Sequence, residues 1–162
     1  MNIIVAVDKN WGIGKNGGLL DHIPEDMKFF RETTKGKTVI MGRKTLLSFP
    51  NEKPLPNRTN IVITTDKDFQ KDGVVVCHSL LSAIETAKKY AAEEDIFFIG
   101  GARVYNEAEE FCDTAYITKI EKSYDADVAI KNFDALPQWK VTEEREVTTD
   151  KGLKLTFCIY KK

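Results

Sequence analysis

The feature that most constrains this chain is a set of short runs of β-branched and aromatic residues, apolar at every position rather than at every second one. IIVAV (Ile3–Val7), TVIM (Thr38–Met41), IVIT (Ile61–Thr64), VVVC (Val74–Cys77) and IFFI (Ile96–Ile99) read as strands buried on both faces. Helical patterns lie between several of them: Pro24–Thr33, Ser79–Ala92 with Leu80, Ile84, Ala87 and Ala91 on one stripe, and Arg103–Phe111. Alternating strand and helix requires a parallel sheet with crossovers. From Thr114 onward AYITKI, WKVTEEREV and LKLTFCIYK follow one another without a helix, and TTDKG between the last two reads as a hairpin turn. The expectation is a three-layer α/β fold: a mostly parallel mixed sheet of about eight strands, an antiparallel C-terminal hairpin, and about four flanking helices.

The 162 residues predict a single domain over 1–162. With 24 Lys and Arg against 25 Asp and Glu, the net charge of −1 excludes a general attraction to nucleic acid or an anionic membrane, so any anion must be read locally. Cys77, Cys112 and Cys158 each fall in an apolar run without metal or disulfide spacing, as expected of buried thiols in a reducing compartment. The opening MNIIVAVDKN has no leader pattern and no later run reaches membrane-spanning length, which makes the cytoplasm the expected location. His22 and His78 are the only histidines and have no ligand-spaced partners, so no metal site is expected; Ser79 reads as a helix N-cap after His78.

Three glycine-bearing stretches carry the chemistry. GIGKNG matches G-x-G-x-x-G through Gly12, Gly14 and Gly17, but GLLDHI intervenes before a helix can begin at Pro24, so it reads as a mobile loop with Gly17 and Gly18 as hinge. IMGRKT and IGGARVY each put glycine at the end of a buried strand with a helix just after, and both make anion-binding corners. Arg43 and Lys44 add charge at the first, Arg103 at the second, and Thr64 with Thr65 end another strand. Two corners predict a ligand with more than one phosphate. In PEDMKFFR, Asp26 and Phe30 stand four apart on one helix face, a carboxylate beside an aromatic surface.

AVDKNWGIG, the frame L-x-x-H-I-P-x-D, VIMGRKT, PLPNR and IGGARVY, in this order and at this spacing, resemble the dihydrofolate reductase family over essentially the whole chain. The resemblance implies reduction of 7,8-dihydrofolate to tetrahydrofolate with NADPH as cofactor. Hydride passes from nicotinamide C4 to pterin C6, and N5 is protonated. It implies that Asp26 binds the pterin N3 and 2-amino edge, that Thr118 steadies Asp26 through its hydroxyl, and that Leu19 tips the closing loop. Ile4, Val5, Ala6 and Ile99 would line the pterin pocket, Met27 and Phe30 would hold the rings, Phe49 and Leu55 would flank the benzoyl group, and Arg58 would pair with the glutamate α-carboxylate. Gly100 and Gly101 would join through a cis peptide. Arg43, Lys44, Thr45, Thr65, Ala102 and Arg103 would hold the cofactor phosphates, and Tyr105 would edge the nicotinamide. Ala6, Ile13, Gly14, Gly17, Gly42, Thr64 and Val104 would complete the cofactor site. A monomer whose partners are a small-molecule substrate and antifolate inhibitors is implied, with no nucleic acid and no membrane.

The chain departs from the family pattern at Asp21, where the family usually has Trp. An inward Asp21 would share one low-dielectric site with Asp26 and raise a pKa further; an outward one would sacrifice ring packing. A second departure is DADVAI (Asp125–Ile130), in which Asp127 can still contact the loop. Two other readings remain open on sequence: a riboflavin-pathway pyrimidine reductase of similar fold, and a catalytically silent NADPH-binding module.

Overall fold

The computed structural model describes residues 1–162. Its first part runs β1 (Asn2–Val7), β2 (Gly12–Lys15), β3 (Gly18–Leu19), α1 (Pro24–Thr34), β4 (Thr38–Gly42) and α2 (Arg43–Leu47). The middle contains β5 (Thr59–Ile63), β6 (Val74–Cys77), α3 (Leu80–Tyr90), β7 (Ile96–Phe98) and α4 (Ala102–Ala108). The C-terminal part is β8 (Thr114–Ile120), β9 (Val128–Ala129), β10 (Lys140–Thr148) and β11 (Lys154–Lys161). Eight strands form one sheet in the order β10-β11-β8-β1-β7-β4-β5-β6, parallel from β8 to β6 and antiparallel where β11 joins β8 and β10.

Strand parity divides the core. Ile3, Val5 and Val7 point to one face, where Ala83, Ile84 and Ala87 of α3 and Val104, Tyr105 and Ala108 of α4 cover them. Ile4 points to the other, with Met41, Val62, Phe97 and Ile99, under Leu46 of α2 and Phe29 and Phe30 of α1. Buried runs that are apolar at every position are what a sheet covered on both faces demands. The three cysteines are buried and unpaired, and burial pushes the Cys112 thiol up to about 12.

Several element ends differ from the pattern. Pro24 opens α1 after an extended Ile23 that offers no side-chain cap, and the helix continues to Thr34, whose hydroxyl donates to the Phe30 carbonyl at 2.8 Å. Ser79 caps α3, accepting from the Ser82 amide at 3.1 Å, and the helix stops at Tyr90, short of Ala92. The expected helix over Arg103–Phe111 is α4 followed by a 3₁₀ turn, Glu109–Phe111.

GIGKNG, expected as a loop, is a ribbon instead. β2 pairs with β3 and with β9 in a three-stranded sheet. Asn16 (φ 52°) and Gly17 (φ 79°) form its two-residue turn, both in the left-handed region that a primed hairpin turn needs.

Candidate active site

The C-terminal ends of β1, β4, β5 and β7 converge, the usual crevice of an open α/β sheet. The two glycine corners lie side by side there. The Gly42 amide donates to the Gly100 carbonyl at 2.9 Å, and the Ile99 amide donates to Ile40 at 2.9 Å. Gly100–Gly101 is a cis peptide, and neither α2 nor α4 has a side-chain cap on its first amides. A Cβ on Gly100, at φ +123°, would meet the Tyr105 ring at 3.3 Å and Thr45 Oγ1 at 3.5 Å. One on Gly42 would meet Val104 at 3.6 Å. Tyr105 itself is buried and its hydroxyl donates to the Ile4 carbonyl at 2.8 Å, which fixes the ring beneath the second corner.

Arg43 reaches from the first corner toward the end of β5, where Nη1 donates to Asp66 at 3.2 Å and the guanidinium lies 4.8 Å over Phe69. Its Nε is buried without a partner, an orphaned donor at the position where an anionic group would satisfy it. Thr64 is buried, its hydroxyl accepting from the Asp66 amide at 3.1 Å, whereas Thr65 and Lys44 are exposed. His78 Nδ1 sits 2.8 Å from the Thr64 carbonyl. Arg103 does not converge on the second corner: it is largely exposed and donates to Glu107, one turn along its own helix, at 3.1 Å. Ala102 and Ile13 are half-buried. The donors and the glycine cradle suit a ligand with phosphates and a flat ring.

Across the crevice, Asp26 is half-buried on α1. Burial pushes its carboxyl up from the ordinary value, and a hydrogen bond from Thr118 pulls the other way. The Asp26 charge is felt at Tyr105, whose hydroxyl is raised, mainly by burial. Phe30, Phe49 and Leu55 pack beside Ile4 and Ile99 in one apolar group. Ala6 joins the neighbouring group with Ile23 and Phe29, while the Val5 side chain turns to the opposite core, leaving only its backbone on this side. Met27 is exposed at the rim, and Leu19 is 75% exposed at the ribbon's edge. Arg58 is fixed by two hydrogen bonds. It donates through Nη1 to Thr34 Oγ1 at 3.0 Å and through Nε to the Pro56 carbonyl at 2.9 Å. Desolvation, and then nearby Arg31, lower its pKa.

Asp21 faces outward. Its Oδ2 accepts the Tyr124 hydroxyl at 2.7 Å and its Oδ1 the His22 amide at 2.8 Å. The Tyr124 bond holds its carboxyl below the usual range, and Asp26 has no part in the shift. The contacts of two acids, Asp127 and Asp8, escaped the sequence reading or were left open by it. Asp127 Oδ2 accepts the Asn16 amide at 3.0 Å, and the Asp127 amide donates to Gly14 at 3.0 Å, pinning the ribbon. Asp8, buried, accepts amides from Asn10, Gly12 and Tyr124. Only the Asn-Gly pair carried a local signal.

The dihydrofolate reductase family model matches residues 1–162. The chain belongs to the dihydrofolate reductase family. This reductase is 36% identical over 150 residues to the dihydrofolate reductase of Bacillus subtilis, covering 93% of the chain and 86% of that protein. It is 40% identical over 148 residues to a bifunctional dihydrofolate reductase-thymidylate synthase from Daucus carota, covering 82% of the chain and spanning only 28% of that longer protein. Its structure superposes with TM-score 0.88 on a dihydrofolate reductase from Enterococcus faecalis complexed with NADP(H) and RAB-propyl, at 34% identity, covering 99% and 94% of the two chains. The reductase is an enzyme that converts dihydrofolate to tetrahydrofolate. No helix is long and apolar enough to cross a membrane.

Proposed function

We propose that Asp26 is the carboxylate on which dihydrofolate is held, with NADPH as the hydride donor and a water relay carrying the proton to N5. The observation that carries this reading is a half-buried carboxyl, raised by desolvation and steadied by Thr118, beside an apolar group that includes Phe30 and Ile99. The pterin's N3 and 2-amino group form an amidine-like edge that matches the two oxygens of Asp26. Ile4, Ala6, Phe30 and Ile99 exclude water from the ring, Met27 closes its rim, and Phe49 and Leu55 take the benzoyl group. Arg58, already oriented by Thr34 and Pro56, pairs with the glutamate α-carboxylate. Antifolate inhibitors occupy the same cleft.

Bound NADPH supplies the hydride that pterin C6 receives. The chain's own part is to hold and orient. Arg43, with its orphaned Nε, Lys44, Thr45, Thr64, Thr65 and the Gly42 and Gly100–Gly101 corners, with Ala102 and Val104, hold the cofactor's phosphates. Arg103 enters only by leaving Glu107. Ile13, Gly14 and Gly17 cover the cofactor from the ribbon, Leu19 tips it, and Tyr105 backs the ring site. Burial of Asp26 enlarges its protonated fraction near neutral pH, keeping a proton within the site for N5.

The same proposal includes a single-domain monomer in the cytoplasm with no nucleic-acid partner, supported by the net charge of −1 and the three buried thiols. The test is loss of the reduced nicotinamide's absorbance with NADPH and dihydrofolate. The native chain turns over, and Asp26→Asn is slower by about a hundredfold or more at neutral pH. Equal rates would remove Asp26 from the chemistry.

A further inference from the structure

The polar pair Asp21–Tyr124 has no part in the chemistry above, yet it joins two segments that border the site. Asp21 precedes α1 by three positions and Asp26 by five. Tyr124 lies in the segment between β8 and β9, the same segment that grips the ribbon through Asp127. The tyrosine is anchored at both ends. Its amide donates to buried Asp8 at 3.2 Å, and its half-buried ring packs in the group of Ile23, Ile120, Leu155 and Phe157, beside Ala6 and Phe29. From that fixed base its hydroxyl reaches Asp21 at 2.7 Å. The other oxygen of Asp21 accepts the His22 amide at 2.8 Å, so the carboxylate also shapes the backbone that enters α1.

We infer that the Tyr124–Asp21 hydrogen bond is a positioning pair, fastening the chain between the ribbon and α1 so that the pterin side of the cleft is preformed for dihydrofolate. This corner is closed by a charge-assisted bond to a tyrosine held by the core. Asp127 fastens the ribbon near its turn, and Tyr124 fastens the irregular segment that leaves it. When the second tie is cut, a fraction of molecules has the entry to α1 displaced. The apparent dissociation constant for dihydrofolate then rises in proportion to the loss of the seated form. The inference rests on the assignment of Asp26 and its apolar neighbours as the pterin site.

The test is a double-mutant cycle with Tyr124→Phe, which keeps the ring in its apolar group, and Asp21→Ala, on an exposed residue. Tyr124→Phe raises KM for dihydrofolate by about fivefold, equivalent to ~1 kcal/mol at 0.59 kcal/mol per natural-log unit, a normal worth for one hydrogen bond, and Asp21→Ala, which also frees the His22 amide, raises it by at least as much. The double variant is no worse than Asp21→Ala alone. kcat changes by less than about twofold, and melting temperatures fall by no more than about 3 °C, within ~1 kcal/mol for a domain of this size. Unchanged KM values, effects that add, or a loss of melting temperature without a KM effect would each overturn the inference. Asp26→Asn in the same assay separates the two readings: if it stays slow while Tyr124→Phe leaves KM unchanged, the pair fails and the site assignment stands. If Asp26→Asn turns over at the native rate, the site assignment itself is lost.

Discussion

Removing the Asp8 carboxylate tests whether the segments around the cleft are held by one buried acceptor. Asp8 is 3% exposed. Its Oδ1 accepts the amides of Asn10 and Gly12, both at 2.8 Å, and its Oδ2 accepts that of Tyr124 at 3.2 Å. In Asp8→Ala the Gly12 amide is left buried with no acceptor, which costs about 1–3 kcal/mol, while Asn10 and Tyr124 nearer the surface recover part of their loss from water. The sum is about 3 kcal/mol, which for a chain of this length is a fall of about 6–12 °C in melting temperature. Asp8→Asn can still offer one oxygen to Asn10 and Gly12 but turns an NH₂ toward the Tyr124 amide, and loses about 1–2 kcal/mol. Urea unfolding followed by tryptophan fluorescence reads both, since Trp11 is buried beside this junction. An Ala variant within about 1 kcal/mol of the native chain, or an Asn variant no better than Ala, would refute the count of bonds.

Two further outcomes follow from the same geometry. Burial raises the Asp26 carboxyl above its ordinary 3.8, so the group favours the fold fully below that value, and the contribution is lost as pH climbs through the raised one. Asp26→Asn therefore gains stability relative to the native chain between acid and neutral pH, read as a melting-temperature difference that widens with pH; a constant difference would contradict it. Gly100→Ala forces a side chain into φ +123° against Tyr105, whose hydroxyl is tied to Ile4. It costs about 1–3 kcal/mol of stability and weakens NADPH by about tenfold or more in a fluorescence titration, and unaltered affinity would exclude the cradle.

What the sequence made legible, and what it did not, divides along a physical line. Gly100 and Pro24 were readable because the local backbone restricts who can stand there: a positive φ that favours glycine, and a helix start with no amide to lose. The buried runs were readable for a related reason, since a strand covered on both faces favours apolar side chains at both parities. The ribbon was missed although its Asn16–Gly17 turn is just such a local demand, because the glycines around it matched a loop as well as a strand. Asp8, Asp127 and Asp21 are a different matter. Their distant partners lie 116, 111 and 103 residues away, and nothing in either segment specifies the other, for an amide or a hydroxyl donates to any nearby oxygen. Arg103 shows the converse error: its charge suggested a distant phosphate, while Glu107 at i+4 offered the nearer partner all along. Residues dictated by their own backbone can thus be read from the chain, whereas residues whose role is to meet another segment become visible only when the fold has chosen which polar groups face each other. The Asp21–Tyr124 tie is of the second kind: nothing around Asp21 in the sequence indicates that a tyrosine 103 residues away meets it.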